Sequence, residues 1–428
     1  MPTVHEKMEF PLGERFKASL TDPFDFYEDT YEASPVFPVR LDGHENPVFV
    51  VTSYDLVKYV FDTATLFSSE FHHVLHPAKD HYVESEEVLA GGYTLPPLLL
   101  NIDAPDHKRY RNLLGPIFNA KNVTPLKDEL GAIMDDLIDQ VIEQGECDFI
   151  RDIAVPFPTV MIARIMGYEP EIVSQLAVWS DAMIMRISQS QSAQQDFRYA
   201  TLIRDFQNYI RAIAAARCAE PRDDLTSQIV HVEQDGFRLT EDEACTLIHE
   251  LTVSGHETAR NSTIGGLGLL LRDPEMLARL KASPNLIPRA VEEILRLFTP
   301  VAGMWRIATQ DTELGGVAIT AGSTILVRMD AANRDPRAFP NPNRIDLERR
   351  NLNAHLSFGW GPHYCIGNLL ARTEVVIALT KVIERFENIR LIEEKSDLGR
   401  PRHIILRSTN ALHIAYDKGE KVERVVNS

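Results

Sequence analysis

Cysteine is scarce in this sequence, with only four in 428 residues. They are Cys147, Cys218, Cys245 and Cys365, and no two of them form a C-x-x-C pair. Isolated cysteines argue against a disulfide framework and against a zinc ribbon, because both need paired or clustered thiols. We therefore expect the protein to work in a reducing compartment.

Long apolar runs and an excess of basic residues are also missing. Nowhere does the chain have the roughly 20 consecutive apolar residues that span a bilayer, and residues 1–10 lack the apolar segment of a secretory signal. The formal net charge of −18 disfavours nucleic-acid and anionic-membrane partners, since both need a dominant basic surface. We expect a cytoplasmic protein that is not anchored to a membrane.

No Gly/Ser linker, low-complexity tract or repeat of fixed period divides the chain. With 44% hydrophobic residues, a chain of this length can bury an extensive core, so we expect a single domain over residues 1–428. The apolar periodicity predicts a mainly α protein with a small β subregion. Predicted strands are 47–52, 317–319 and 325–327, and predicted helices include 53–61 after a Ser53 cap, 126–142, 209–215 and 241–271.

One cysteine stands among glycines, in the stretch Phe358-Gly-Trp-Gly-Pro-His-Tyr-Cys-Ile-Gly367. A helix-compatible run follows from Leu369, which would place the Cys365 sulfur at a helix N-terminus, where backbone N–H groups lower the pKa of a thiol. Glycines without side-chain bulk let the backbone approach something flat and large. The pattern indicates a metal-ligating thiolate.

The motif Phe358-Gly359-x-Gly361-x-His363-x-Cys365-x-Gly367 resembles the haem-binding loop of the cytochrome P-450 monooxygenases at every signature position. The resemblance implies haem b (iron protoporphyrin IX) with Cys365 as its proximal iron ligand. It also implies a single helix-rich, prism-shaped fold around the haem, of the bacterial type without a membrane anchor. The implied reaction inserts one oxygen atom from O2 into an apolar small-molecule substrate, by hydroxylation or epoxidation.

A second motif, Ser254-Gly-His-Glu-Thr258, lies in the long predicted helix and resembles the family's Ala-Gly-x-Asp/Glu-Thr sequence in the helix above the iron. The resemblance implies that Glu257 and Thr258 organise water and deliver protons, in a helix opened locally at the glycine. Ser254 departs from the usual alanine.

The third motif is Glu293-Ile-Leu-Arg296, which resembles the family's E-x-x-R helix. The two charges share one helical face, and the resemblance implies a buried structural pair completed by an arginine before the cysteine loop. The sequence leaves open whether that arginine is Arg349 or Arg350.

Haem propionates need positive donors near the thiolate loop. By resemblance, three separate positions provide them. The residues are His107 and Arg111, one turn apart in a predicted helix start, together with Arg306 and His363.

The resemblance places the substrate pocket along several largely apolar segments, which fits a hydrophobic small molecule. Their residues are Leu98 to Leu100, part of 181–190, Val253, Ser254, Val301, Ala302, Ile405 and Leu406. Glu250 lies at four-residue spacing before Ser254 and Thr258, so it could face the pocket and contact a polar or cationic part of the substrate. The alternative is a solvated or salt-bridged glutamate.

A zinc protease is disfavoured, although His249-Glu250 begins like an H-E-x-x-H helix, because Val253 stands where the second histidine ligand is needed. Electrons are expected from a separate ferredoxin and its reductase, docking near Lys108, Arg109 and Arg372. Two alternatives stay open: a peroxide-driven peroxygenase, disfavoured by the intact Glu257-Thr258 pair, and a non-catalytic haem-thiolate sensor or recruitment protein.

Overall fold

The computed structural model describes residues 11–41, 44, 46–75, 83–93, 95–187, 192–401 and 403–422. Helices dominate, which confirms the mainly α prediction. Within the described ranges, no helix combines the length and apolar character needed to cross a membrane. Residues 1–10, on which part of the targeting prediction rests, lie outside the description.

The helices and strands are numbered in chain order. The helices are α1 Pro11–Ser19, α2 Phe24–Glu28, α3 Tyr54–Asp62, α4 His72–Leu75, α5 Val83–Ala90, α6 Asp106–Leu114, α7 Ala120–Val123, α8 Leu126–Val141, α9 Pro156–Met166, α10 Val173–Ile187, α11 Ala193–Ala219, α12 Leu225–His231, α13 Glu241–Leu271, α14 Pro274–Ala282, α15 Ile287–Phe298, α16 Met329–Ala332 and α17 Asn368–Arg385. The strands are β1 Val36–Val39, β2 Val48–Val51, β3 Phe67–Ser68, β4 Glu146–Asp148, β5 Glu233–Gln234, β6 Phe237–Arg238, β7 Gly303–Ala308, β8 Thr312–Leu314, β9 Val317–Ile319, β10 Thr324–Arg328, β11 Glu387–Leu391 and β12 His413–Asp417.

The predicted elements are confirmed within a residue or two, except that 209–215 is only part of the much longer α11. The Ser53 cap is only partly correct. Ser53 occupies the position before α3, but its side chain makes no capping hydrogen bond. Instead the Tyr54 N–H donates to the Asp335 carboxylate at 3.0 Å, so a residue distant in the chain satisfies the helix start.

The long helix α13 is the axis on which the candidate site is built. It begins with a capping box. The Thr240 hydroxyl accepts from the Glu243 N–H, and the Glu243 carboxylate accepts from the Thr240 N–H. Glycines let neighbouring elements come close: a Cβ on Gly265 would lie 2.1 Å from the Phe298 ring, and one on Gly255 would lie 2.9 Å from Ile162. Helices α9, α11, α15 and α17 pack around it.

The β subregion lies beside this helical body. Its main sheet has the order β1-β2-β10-β7-β3, with β10 parallel to β2 and antiparallel to β7. The register pairs Arg306 of β7 with Ile325 of β10, which fixes the backbone position of a predicted propionate donor. The sheet thus carries one of the predicted propionate donors.

Candidate haem site

The segment before α17 forms a tight loop around Cys365. The Cys365 N–H donates to the Phe358 carbonyl at 2.9 Å, and the Asn368 side chain donates to the Cys365 carbonyl at 2.8 Å. Gly361 has a φ of 69°, and a Cβ there would lie 2.7 Å from the Phe61 carbonyl oxygen. The motif glycine is therefore required by conformation and by close packing on α3.

The Cys365 thiol does not behave as its helix-terminal position predicts. Burial raises its pKa, and this effect outweighs the opposing influence of the Gly367 N–H and of Arg111 and Arg372. The predicted lowering by the helix N-terminus is therefore wrong in its net direction for the protein alone. A bound metal ion would reverse it, since a coordinating thiol is deprotonated outright.

Four basic side chains gather next to this loop, as predicted. The rings of His107 and His363 stack with their centroids 3.8 Å apart. Burial lowers the pKa of His107 to about 4, with further lowering by Arg111 and Arg306. The pKa of His363 falls to about 3 through burial, Arg306 and His107. Such mutual repulsion is expected where basic groups converge on a place meant for an anion.

The two arginines of this group are buried to different extents, since Arg306 is buried and Arg111 is half-buried. Burial lowers the pKa of Arg306, which is 3% exposed, to about 10, and Asp103 opposes that shift. Arg111 lies near enough to Cys365 for the thiolate to raise its pKa, although burial lowers it more. A Cβ on Gly367 would meet no protein atom within 4 Å, so open space adjoins the loop. This donor set fits a haem with its two propionates and a thiolate ligand.

The middle of α13 carries the second motif. The Thr258 hydroxyl donates to the Ser254 carbonyl at 3.1 Å, and the Ser254 hydroxyl donates to the Glu250 carbonyl at 2.6 Å. The helix runs from Glu241 to Leu271 without a break, so the opening expected at Gly255 is not present as an interruption. Hydroxyl bonds to the backbone four residues earlier are the local perturbation instead.

Glu257 points into a buried polar group on the same helix. Its Oε1 accepts hydrogen bonds from Arg260 at 2.5 Å and from Asn261 at 3.0 Å, and Arg260 also reaches Asp181 at 3.1 Å. Burial raises the pKa of Glu257, and Arg260 opposes the shift. Its Oε2 is buried without a hydrogen-bond partner among the described residues.

The E-x-x-R pair is fully buried, as predicted. Arg296 donates to both carboxylate oxygens of Glu293, at 2.7 and 2.9 Å. Arg349 completes the group by donating to Glu293 at 3.0 Å, whereas Arg350 is exposed. The choice that the sequence left open is therefore decided in favour of Arg349.

Below the loop lies a second charged group that the sequence analysis missed. Glu292 accepts from Arg372 at 2.8 Å and lies 3.0 Å from His355. Although burial opposes it, hydrogen bonds from His355 and Arg372 lower the pKa of Glu292. Arg372 also lies over the Phe358 ring, at 4.2 Å, so it supports the loop more than it offers a docking charge. The only available signal was the acidic neighbour of Glu293 in the third motif.

The predicted pocket segments come together in part. Val301 and Leu406 form a β-bridge, and the Ala302 N–H donates to the Ile405 carbonyl at 2.6 Å. Ala302 and Ile405 are buried, whereas Val301 and Leu406 are half-buried, so Val301 and Leu406 are the better placed to line a pocket.

The remaining pocket positions differ in environment. Leu98 is buried, Leu99 is half-buried and Leu100 is 43% exposed. In 181–190, Asp181 pairs with Arg260, and residues 188–190 lie outside the described part of the chain. Val253 and Ile366, the residue after Cys365, are both partly buried and both pack against the same large apolar cluster.

His249, the first residue of the stretch that resembles a zinc-protease helix, is buried. The His249 ring packs edge-on against Phe206, with the centroids 4.8 Å apart. Among the described residues, no group of three or more His, Cys, Asp or Glu side chains is arranged to hold a metal ion.

These features define a protein that holds haem through a cysteine thiolate. The sequence model of the cytochrome P450 family matches residues 285–412. The chain is 38% identical to a steroid C26-monooxygenase of Mycobacterium tuberculosis (strain CDC 1551 / Oshkosh), over 72% of this chain and 83% of that protein. It is 30% identical to the polyketide biosynthesis cytochrome P450 PksS of Bacillus subtilis (strain 168), over 96% of this chain and 100% of the relative.

The solved structures agree with the sequence comparison. Cytochrome P450 CREJ in complex with (4-ethylphenyl) dihydrogen phosphate has a TM-score of 0.86 and 28% identity, covering 96% of this chain and 99% of that one. The chain belongs to the cytochrome P450 family. It is a haem-thiolate monooxygenase, and its relatives are named as monooxygenases and hydroxylases, which does not favour the peroxygenase and sensor alternatives.

Proposed function

We propose that this monooxygenase oxidises an apolar small molecule held between α13 and the Val301–Leu406 bridge, with electrons from a separate ferredoxin. The observation that carries the proposal is the convergence of the Cys365 loop with the four basic residues His107, Arg111, Arg306 and His363. The steroid and polyketide names of the relatives fit an apolar substrate. We further propose a single haem domain and a cytoplasmic location.

The bound haem would supply the oxygen and electron-transfer chemistry by which one atom of O2 enters a C–H or C=C bond, while the other leaves as water after taking up two electrons and two protons. The Cys365 sulfur would hold the iron, and the Phe358 carbonyl fixes the backbone of that ligand. The guanidinium groups of Arg111 and Arg306 and the rings of His107 and His363 would bind the propionates.

Protons would pass along α13. The Thr258 hydroxyl donates to the Ser254 carbonyl, which leaves its lone pairs directed away from the helix to accept from water. Glu257 holds Arg260 and Asn261 with Oε1, whereas Oε2 is available to carry a proton. Because burial raises the pKa of Glu257 against the opposing effect of Arg260, its carboxyl holds a proton more readily than an exposed glutamate does.

The ferredoxin would dock where cations surround the thiolate loop. Lys108 is exposed, and Lys58 lies over the loop residue Trp360, with its ammonium 4.1 Å from the ring centroid. Arg109 is less available to a partner, because it pairs with Asp106 at 3.2 Å and lies over the Phe237 ring. We therefore place the docking charge mainly on Lys108 and Lys58.

The function is tested by a ligand screen on the ferric protein, in which the Soret band is followed. A substrate that displaces water from the iron shifts the band from the low-spin to the high-spin position. We expect a saturable shift with an apolar class such as steroids or polyketides, and oxygenated product when ferredoxin, reductase and O2 are added. Thiolate-bound haem that gives neither a shift nor product with any apolar class would contradict the proposal.

A further inference from the structure

Three arginines outside the haem motifs converge on the ring of Phe24 in α2, and we call them the arginine cluster. The central guanidinium carbons of Arg334, Arg400 and Arg407 lie 3.6, 4.8 and 4.6 Å from the centroid of that ring. Arg334 follows α16, whereas Arg400 and Arg407 lie between β11 and β12. Packing therefore collects three positive charges at one place in a chain whose formal net charge is −18.

Arg407 is the deepest member of the arginine cluster. It is 4% exposed, and none of its three guanidinium nitrogens has a hydrogen-bond partner among the described residues. Within the same ranges, its one ion-pair contact is with Asp330 at 3.9 Å, which is too long for a hydrogen bond. That carboxylate already accepts from Arg328 at 2.9 and 3.1 Å. The Arg407 guanidinium is therefore buried with its N–H groups unsatisfied.

The other two members also have N–H groups left over. The terminal nitrogens of Arg334 donate to the Asn343 side chain and the Leu297 carbonyl, but its Nε is buried without a partner in the described part of the chain. The Nη1 of Arg400 is buried in the same state. Both side chains are half-buried, so a small ion can reach them, and Arg407 lies further inside.

Two other buried arginines show what a satisfied guanidinium looks like in this protein. Arg296 donates to both oxygens of Glu293, and Arg217 donates to Asp224 at 2.5 Å. Arg306 differs from them, because no carboxylate of the described residues pairs with it, and the proposed function gives it a haem propionate as its anion. The arginine cluster resembles Arg306 in this respect. A buried guanidinium without a carboxylate is expected where an external anion binds.

The charges around the cluster favour an anion with more than one negative charge. Burial lowers the pKa of Arg334 to about 9, and the charge of Arg400 lowers it further, so the group stays protonated at neutral pH while it is repelled by its neighbour. Arg328 takes up most of the charge of Asp330, and Asp22, which is exposed, acts on Arg400 without forming an ion pair. Three positive charges are thus left with little compensation.

The chemistry of a fitting ligand follows from these donors. Guanidinium groups bind oxyanions through paired, charge-assisted hydrogen bonds. Chloride has a single charge, and a carboxylate has a single charge and two oxygens. A phosphate group has a charge of about −1.5 to −2 at pH 7 and at least three acceptor oxygens, which suits three cations that come from separate segments.

We propose that Arg334, Arg400 and Arg407 form a binding site for a phosphate group, either free inorganic phosphate or the phosphate of a small phosphomonoester. None of the three belongs to the set of predicted propionate donors, so the site is distinct from the haem site. The inference goes beyond the proposed function and does not depend on it.

The experiment uses the haem-loaded protein, so that the haem propionates occupy their own donors and the added anion cannot bind there. Inorganic phosphate is titrated by calorimetry near neutral pH and at constant ionic strength, with chloride and acetate as comparison anions. We expect one phosphate per chain, bound at least about tenfold more tightly than either comparison anion. Phosphate should also raise the urea midpoint of unfolding, because a ligand that binds only the folded state stabilises it.

A parallel titration with phenyl phosphate distinguishes the two sources of the phosphate group. Tighter binding of this ester than of inorganic phosphate would assign the site to a phosphomonoester. Equal or weaker binding of the ester would assign it to the free ion.

The variants R407M and R400M each remove one guanidinium and keep an unbranched side chain. We expect phosphate to bind at least about tenfold more weakly to each, which is about 1.4 kcal/mol. Without phosphate, R407M should unfold at the same or a higher urea concentration than the wild type, because it removes a buried charge that has no partner. R279M is the matched control, since Arg279 is 47% exposed on α14 and pairs with Glu348, and it should bind phosphate as the wild type does.

The inference is overturned if the wild type binds no phosphate, if chloride or acetate binds as tightly, or if R407M and R400M keep the wild-type affinity. If R407M does not fold, R400M decides, because Arg400 is half-buried and its removal breaks no hydrogen bond among the described residues. Haem binding and oxygenation are measured separately, so the proposed function stands or falls independently of these results.

Discussion

The two sides of the haem site differ in how their charges are satisfied. On the loop side, Glu293 is held by Arg296 and Arg349, and Glu292 is held by Arg372 and His355. On the α13 side, Glu250 has no partner among the described residues, and Glu257 has one oxygen without a partner. The two glutamates beside the loop are therefore satisfied within the protein, whereas the two glutamates of α13 are satisfied only in part or not at all by the described residues.

This difference distinguishes residues that stabilise the fold from residues that are available to take part in the reaction. A buried charge with several partners stabilises one conformation and resists change, because removing any partner leaves another charge unpaired. A buried polar group without a partner is available to water, oxygen or substrate. Substitutions on the loop side should therefore affect stability and haem binding, and those on α13 should affect selectivity and proton transfer.

The largest effect is expected from C365S. Serine offers a hydroxyl that is not deprotonated near neutral pH, so the thiolate ligand is lost and monooxygenase activity should fall essentially to zero. The measurement is the absorption spectrum of the reduced carbon monoxide complex, with product formation assayed alongside. C218S, at an exposed cysteine, is the control and should retain the wild-type spectrum.

The second-largest effect is expected when one member of the buried group of Glu293, Arg296 and Arg349 is removed. R296A leaves Glu293 buried with fewer partners, and we expect the free energy of unfolding to fall by about 3 to 5 kcal/mol. Urea unfolding measures the change. K281A removes an exposed partner of Glu387 and should lower the free energy of unfolding by less than about 1 kcal/mol. Equal losses of unfolding free energy in the two variants would contradict a difference between the buried and the exposed ion pair.

The charge on Glu250 should make stability depend on pH. Because its pKa is raised from 4.5 to about 8, the folded state keeps the proton more tightly than the unfolded state does. The unfolding free energy of the wild type relative to E250Q should therefore fall as pH rises from about 5 to 8.5, on the order of 2 kcal/mol after discounting for partial exposure. Parallel curves for the two proteins, measured by urea unfolding, would contradict a buried carboxylate.

T258A should reduce the fraction of electrons that end in product. Without the hydroxyl that orders water beside α13, proton delivery slows, and we expect product per electron consumed to fall about tenfold or more while substrate binding is unchanged. The ratio of product to reductant consumed is the measurement. T263A, at a buried threonine further along the helix, should keep normal coupling.

The smallest effect is expected at the surface. K108E reverses one exposed charge near the loop, and it should slow reduction by ferredoxin a few-fold at low ionic strength, with the difference disappearing at high salt. Stopped-flow reduction measures this rate. A rate that is insensitive to both the substitution and salt would argue against docking at Lys108. K127E, at an exposed lysine of α8, is the control.

Much of the site could be predicted because its motifs are local. Gly359 and Gly361 stand where the loop backbone has positive φ angles. The pairing of Glu293 with Arg296 is expected from their three-residue spacing on a helix. Arg372 and Ser53 were interpreted less well, because the groups that contact them, Glu292 and Asp335, are far away in the chain. Local patterns carry no information about such partners.

The sequence alone determined the helix-rich class, since apolar spacing is a property of short segments, and its resemblance to the family motif predicted Cys365 as the iron ligand. The tertiary structure decided that Arg349 rather than Arg350 completes the buried group, and that burial raises the pKa of the Cys365 thiol and of Glu250. These outcomes depend on desolvation and on contacts between distant segments, which arise only when the chain is packed.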